Sequence, residues 1–226
     1  MLKHLVRQLN SLLRRHGECE EVQSLQEPLN KTIALKLYEI GAIKFGDFTL
    51  TSGKWSPIYI DLRIVPSFPD VFDIMTDCYV ELLKDKKNEI RRIVGVPTAG
   101  LPIATLVSYK MRYPLLYVRK EKREHGTRKS IEGILNKGDI VAIVDDLATT
   151  GGSVKDAAAK VRETGGIVKY AIVLIDRLQG AKENLKENGI ELLAYTTIND
   201  ILDILVKERK ISMEQYEKVL DYLKNQ

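Results

Sequence analysis

The chain has 226 residues, 44% of them hydrophobic, with 35 basic and 31 acidic side chains and a formal net charge of +4. That length and apolar content suit one α/β domain with a substantial core, and so mild a positive excess is not a nucleic-acid footprint. No run of about 18 apolar residues occurs, so nothing supports a membrane span, and Cys19 and Cys78 fit neither a metal-ligand spacing nor a disulfide framework, as expected of reduced thiols in a cytoplasmic protein.

Leu2, Leu5, Val6, Leu9, Leu12 and Leu13 recur at helical spacing opposite Lys3, Arg7, Arg14 and Arg15, which predicts an amphipathic surface helix. It lacks the continuous apolar stretch and small-residue cleavage site of a secretory leader. Gly17 and the acidic run at 18–21 end this helix, and Asn30 reads as the N-cap of a second one through residues 37–40. Residues 1–28 are thereby set apart as an N-terminal helical extension, and 29–226 form the main domain. Residues 45–53 read as a strand and turn, 54–57 as a further turn, and 58–61 as a second strand. This strand–turn–strand unit, about 41–65, fits a hood over a site and a plain β-hairpin equally well. Pro69 suits a helix start, and residues 71–83 continue that helix.

Three βα units follow. Residues 93–96 are a strand and 101–109 a helix, joined by Pro97, Thr98, Ala99 and Gly100, whose small side chains let backbone amides reach an anion. Residues 115–118 are a strand, and a charged run takes the place of the next helix. Then Ile140, Val141, Ala142, Ile143 and Val144 run into Asp145 and Asp146, with Leu147, Ala148, Thr149, Thr150, Gly151, Gly152 and Ser153 leading to a helix over 154–161. Further strands at 170–175 and 191–195, and helices at 181–188, 198–207 and 212–223, complete the chain. Alternating strands and helices predict a parallel, doubly wound sheet.

Ligands in such sheets bind at the carboxyl ends of the strands. The hydroxyls of Thr149, Thr150 and Ser153, the glycine backbone and a helix N-terminus together suit a phosphate. The paired acids suit the hydroxyls of a sugar diol, although two acids after a strand equally make a turn and a helix cap. The segment has neither the Gly-Lys-Ser/Thr of a Walker loop nor the Gly-x-Gly-x-x-Gly of a dinucleotide site. The charged run Arg119, Lys120, Glu121, Lys122, Arg123, Glu124, His125, Gly126 is a solvated loop on composition. It starts at a strand's carboxyl end, where a cationic loop can close over a polyanion.

The acid pair with its Thr-rich loop resembles the phosphoribosyl-diphosphate (PRPP) signature of type I phosphoribosyltransferases. Four segments together resemble the orotate branch, including the corresponding domain of UMP synthase. They are 45–53 with Ser56, Pro57, Ile58, Tyr59, Ile60 and Asp61; Gly95 through Gly100; Arg119 through Gly126; and Asp145 through Ser153. The resemblance implies the type I fold, a mostly parallel sheet flanked by helices with a small hood. It implies transfer of the phosphoribosyl group of PRPP to orotate in pyrimidine (UMP) biosynthesis, with Mg²⁺ carried mainly on PRPP and few or no protein ligands to the metal. It further implies a cytoplasmic homodimer with shared active sites, and no nucleic-acid or membrane partner.

By position, Asp145 and Asp146 would hold the ribose hydroxyls, and Leu147, Ala148, Thr149, Thr150, Gly151, Gly152 and Ser153 the 5′-phosphate. Thr98 and Ala99 would line the pyrophosphate. Tyr59, Ile60, Thr149 and Arg177 would face orotate, Arg177 at its carboxylate. Arg119, Lys120, Lys122, Arg123 and His125 would reach PRPP, and the catalytic group would comprise Arg119, Lys120, Arg123, His125 and Asp146. Arg123 stands where the family usually has Lys, and a planar guanidinium is no substitute as a proton donor. Thr51 and Ala99 stand where some bacterial members carry Lys. No decarboxylase domain is present in these residues, so the chain is either a stand-alone enzyme or a piece of a bifunctional one. A PRPP-sensing regulator on the same fold and a purine phosphoribosyltransferase remain alternatives. The first would need a nucleic-acid-binding element, and residues 1–38 hold no convincing helix-turn-helix. The second does not account for the hood or the His-Gly loop.

Overall fold

The computed structural model describes residues 18–49, 53–119 and 130–225, with side chains from Leu29 onward. The amphipathic segment at 2–13, Thr51, and Lys120, Lys122, Arg123 and His125 lie outside the described residues.

Helix α1 (Glu18–Glu39) runs unbroken through the position read as its start. Asn30 is therefore an interior residue and not an N-cap, and the acidic run opens a helix, where acids are favoured, instead of closing one. Ile33, Ala34 and Leu37 bury its inner face completely. Strands β1 (Ile43–Thr49) and β2 (Trp55–Ile60) form a two-stranded antiparallel ribbon. Trp55, Ser56 and Pro57, read from sequence as a turn, belong to β2. Pro57 is tolerated there because the register slips between Phe45↔Ile58 and Phe48↔Ser56, leaving Gly46 and Asp47 bulged opposite it. Gly46 takes φ +153° at this bulge. A 3₁₀ turn (Leu62–Ser67), absent from the sequence reading, leads into α2 (Pro69–Leu83), with Pro69 in its first turn as expected.

Among the described residues the main sheet has seven strands: β3 (Arg92–Gly95), β4 (Leu115–Val118), β5 (Ile131–Glu132), β6 (Ile140–Val144), β7 (Leu147–Ala148), β8 (Ile167–Asp176) and β9 (Glu191–Thr197). Their order is β5-β4-β3-β6-β8-β9, with β7 pairing the far end of β8 in line with β6. All pairs are parallel except β4 with the edge strand β5. β5 and β7 are two residues each, too short to leave a periodic pattern. Helices α3 (Gly100–Met111), α4 (Gly152–Glu163), α5 (Ala181–Glu187), α6 (Ile198–Lys207) and α7 (Met213–Lys224) complete the fold. Ser212 caps α7 in a reciprocal pair with Gln215.

Both faces of the sheet are covered. Ile93, Ala142, Val144 and Ile172 pack against α1, α2, α3 and α6 on one side, while Val94, Val141, Ile143 and Ala171 pack against α4 and α5 on the other. This is why the strands read as unbroken apolar runs and not as alternating ones. From β3 the chain winds outward to β4; from β6 it winds the opposite way to β8 and β9. The two windings part between β3 and β6, and a crevice opens there at the strands' carboxyl ends.

Candidate active site

β6 hands its chain to the crevice at Asp145. The Asp145 amide still bonds Ile172 O (3.1 Å), and Asp146 O still accepts from Leu174 N (3.0 Å), so both acids remain pinned to β8 although the strand is interrupted. Tyr79 on α2, fully buried, donates its hydroxyl to Asp145 O (2.8 Å) and Asp146 O (3.3 Å). The carboxylates receive only local backbone bonds: Asp146 N to Asp145 Oδ1 at 3.0 Å, and Leu147 N to Asp146 Oδ1 at 2.9 Å. Neither forms an ion pair among the described residues. Burial pushes both carboxyls up, Asp145 to about 8, with their mutual repulsion adding to the effect at Asp145. Arg63 offsets it slightly at Asp146.

The loop from Thr149 to Ser153 turns into α4 through Gly151, whose φ is +80° and whose Cβ, if present, would lie 2.9 Å from Leu185 Cγ. Only glycine meets both conditions. Asn184 Nδ2 holds Thr150 O at 3.0 Å from the side of α5. Across the crevice, Gly100 lets the start of α3 touch the β6 junction; a Cβ there would be 2.5 Å from Val144 O. The Pro97–Thr98 peptide in the same loop is cis. Pro97, Thr98, Ala99 and the run from Asp145 to Val154 line one cleft of about 320 Å³. Every residue proposed from sequence for the ribose, 5′-phosphate and pyrophosphate on these two loops is therefore in one cavity, although Leu147 and Ala148 also form β7.

Of the other predicted residues, Arg177, Tyr59, Ile60 and Arg119 are described, and none of them lines this cleft. Arg177 follows β8, its amide bonded to Ala148 O at 2.9 Å. Its guanidinium is half-buried, its Nε is fully buried with no hydrogen-bond partner, and it has no carboxylate partner among the described residues. Burial lowers its pKa from the usual arginine value. Tyr59 and Ile60 are half-buried on β2; the Tyr59 hydroxyl accepts from Arg63 Nη2 at 3.1 Å, and its ring lies 5.6 Å from that of Phe48. Arg119 follows β4, with its guanidinium on Glu132 (2.6 Å) and its carbonyl accepting from Lys160 Nζ (2.7 Å). Its amide bonds Ser130 O at 2.9 Å, tying together the residues on either side of 120–129.

Sequence reasoning missed Tyr79, Asn184 and Arg63. Tyr79 sits at a core position of α2, and nothing in its neighbours marks the hydroxyl that clamps the acid pair. Arg63 also bonds Asp61 (Nε to Oδ1, 2.6 Å), a contact within the hood.

A strand broken by an acid pair, a Thr/Gly loop on a helix start and a small-residue loop across a switch-point crevice define a phosphoribosyltransferase, and residues 67–192 match the phosphoribosyl transferase domain family. An orotate phosphoribosyltransferase of Staphylothermus marinus is 42% identical over 197 residues, 87% of this chain and 96% of that protein. Among solved structures, that of Aeropyrum pernix orotate phosphoribosyltransferase superimposes with a TM-score of 0.68 at 34% identity, over 77% of this chain and 99% of that one. That of Leishmania donovani UMP synthase gives 0.79 at 36% identity, over 87% of this chain and 42% of the longer one. The chain belongs to the orotate phosphoribosyltransferase family, as the four segments implied. Among the described residues no helix is long and apolar enough to cross a membrane.

Proposed function

We propose that this chain transfers the phosphoribosyl group of PRPP to orotate, yielding orotidine 5′-monophosphate and pyrophosphate in pyrimidine biosynthesis. The bond from C1 of the ribose to the diphosphate oxygen breaks, and N1 of orotate, its proton lost, bonds to C1. Positive charge develops on the ribose and negative charge on the departing diphosphate, so the protein's task is electrostatic and positional. Asp145 and Asp146 accept hydrogen bonds from the two ribose hydroxyls. The amides and hydroxyls of Thr149 to Ser153 hold the 5′-phosphate at the start of α4. Thr98 and Ala99 place backbone against the diphosphate. Arg177 meets the orotate carboxylate with a bidentate fork, while Tyr59, Ile60 and Thr149 bracket the ring.

Lys120, Lys122, Arg123 and His125 neutralise the departing diphosphate and exclude water. Arg123 serves as a charge and not as a proton donor. Arg119, absent from its own chain's cleft, serves a neighbouring site in a cytoplasmic homodimer. Asp145 and Asp146 are hard oxygen donors suited to Mg²⁺ arriving on PRPP, and among the described residues no group of three His, Cys, Asp or Glu could hold a metal by itself. Mg²⁺ held there would supply charge neutralisation at the diphosphate.

The observation that carries this reading is the gathering of the phosphate loop, the acid pair and the small-residue loop in one cleft, with an unpaired Arg177 beside its Ala148 wall. Purified protein given orotate, PRPP and Mg²⁺ should deplete the orotate absorbance and release one pyrophosphate per orotate. Consumption of uracil or a purine with orotate untouched would reject it.

A further inference from the structure

Two buried polar atoms near the pyrimidine end of the site have no hydrogen-bond partner: Nε of Arg177 and the hydroxyl of Tyr222 on α7. Native proteins satisfy nearly all such groups, so an orphan asks for a partner that arrives later. The Tyr222 ring is fixed from the hood side, where Trp55 at the start of β2 meets it edge-on with centroids 5.8 Å apart. Trp55 is in turn held by Asp47, through its indole N–H at 2.9 Å, and by Lys218 of α7 over its face. The hood and the last helix are thereby locked together, and the Tyr222 ring is held while its hydroxyl is left without work inside the protein. The phenol also lies within electrostatic reach of the Arg177 guanidinium.

The geometry points to Tyr222 as a further substrate-binding residue, its hydroxyl donating to the same pyrimidine carboxylate that Arg177 meets. This rests on the orotate reading above and adds a donor from the C-terminal helix that sequence patterning gives no reason to suspect. A carboxylate has room for it: two oxygens accept about four hydrogen bonds, and Arg177 uses two. A neutral base without that carboxylate leaves both donors buried and unpaired, which makes the pair a filter against uracil as well as an anchor for orotate.

The test is Tyr222→Phe, which keeps the ring against Trp55 and removes only the hydroxyl. The Michaelis constant for orotate should rise about tenfold to a hundredfold, the loss of one hydrogen bond to a charged group. The constant for PRPP should be unchanged. The melting temperature should hold or rise slightly, because the hydroxyl satisfies nothing in the free protein. Calorimetric affinity for orotidine 5′-monophosphate should fall by the same factor, a readout independent of turnover. Unchanged orotate and nucleotide binding in the variant, with the wild type active on orotate, would overturn the role of Tyr222 and leave the enzyme assignment standing. A drop in melting temperature with unchanged orotate binding would make the hydroxyl structural and also overturn it. A wild type inert towards orotate would remove both.

Discussion

The two ends of the site carry opposite charges in the same predicament. At the proposed ribose end, Asp145 is buried and Asp146 half-buried, with no cation paired to either among the described residues. At the proposed pyrimidine end, Arg177 is half-buried with no anion paired to it among the described residues. Burial pulls each toward neutrality, raising the acids and lowering the arginine. Elsewhere the fold pairs its charges readily, as with Arg92 on Asp139 and Arg119 on Glu132. Keeping opposite charges apart across the crevice is unfavourable for the free protein, and each end is left able to gain from a ligand: diol hydroxyls at one, a carboxylate at the other.

The largest effect should come from the basic end. Arg177→Ala removes two charge-assisted hydrogen bonds and should lower kcat/KM for orotate about a thousandfold, while Arg177→Lys, keeping charge but not the fork, should recover part of it. Steady-state kinetics with each variant checks this, and full recovery in the lysine variant would reduce Arg177 to a point charge. At the acidic end, Asp146→Asn should lower kcat/KM for PRPP about a hundredfold with the fold intact by circular dichroism; an unchanged rate would remove Asp146 from the site.

The charge imbalance also has a pH signature. A carboxyl raised on folding stabilises the fold fully below its unfolded value near 4 and loses that contribution as pH climbs through the folded value. For Asp145, at about 8 in the fold, the ligand-free protein should therefore lose stability between roughly pH 4 and 8. Asp145→Asn should be spared, so the melting-temperature gap between variant and wild type should widen from pH 5 to pH 8. A constant gap would mean that Asp145 is ionised and paired. The smallest effect is expected from the cationic loop, where several groups share one task. His125→Ala should lower turnover about tenfold, and by more than it raises the Michaelis constant for PRPP, because the loop acts chiefly on charge that appears in the transition state. A change in affinity alone would make the loop a binding clamp.

These two ends were unequally legible in the sequence. The acidic end is written in consecutive residues: an apolar strand, two acids and a Thr/Gly loop, all of which the fold gathers into one cleft with Thr98 and Ala99. The alternation of strands and helices likewise gave the doubly wound sheet. The proposed basic end draws on β2, the exit of β8 and α7, far apart along the chain. Arg177 could be placed only through the resemblance, and Tyr79 and Asn184 bear on the acid pair and its loop through tertiary contacts that no local pattern encodes. The errors were also local. Asn30 has the chemistry of a cap but sits inside a helix, and Pro57 has the look of a turn but falls opposite a bulge that excuses its missing N–H.

The most direct test is a crystal structure with orotidine 5′-monophosphate bound. The ribose hydroxyls should lie on Asp145 and Asp146, the phosphate on the amides of Thr149 to Ser153, and the pyrimidine carboxylate on Arg177. A nucleotide seated with its carboxylate in solvent and Arg177 still unpaired, or bound away from the acid pair, would contradict the account.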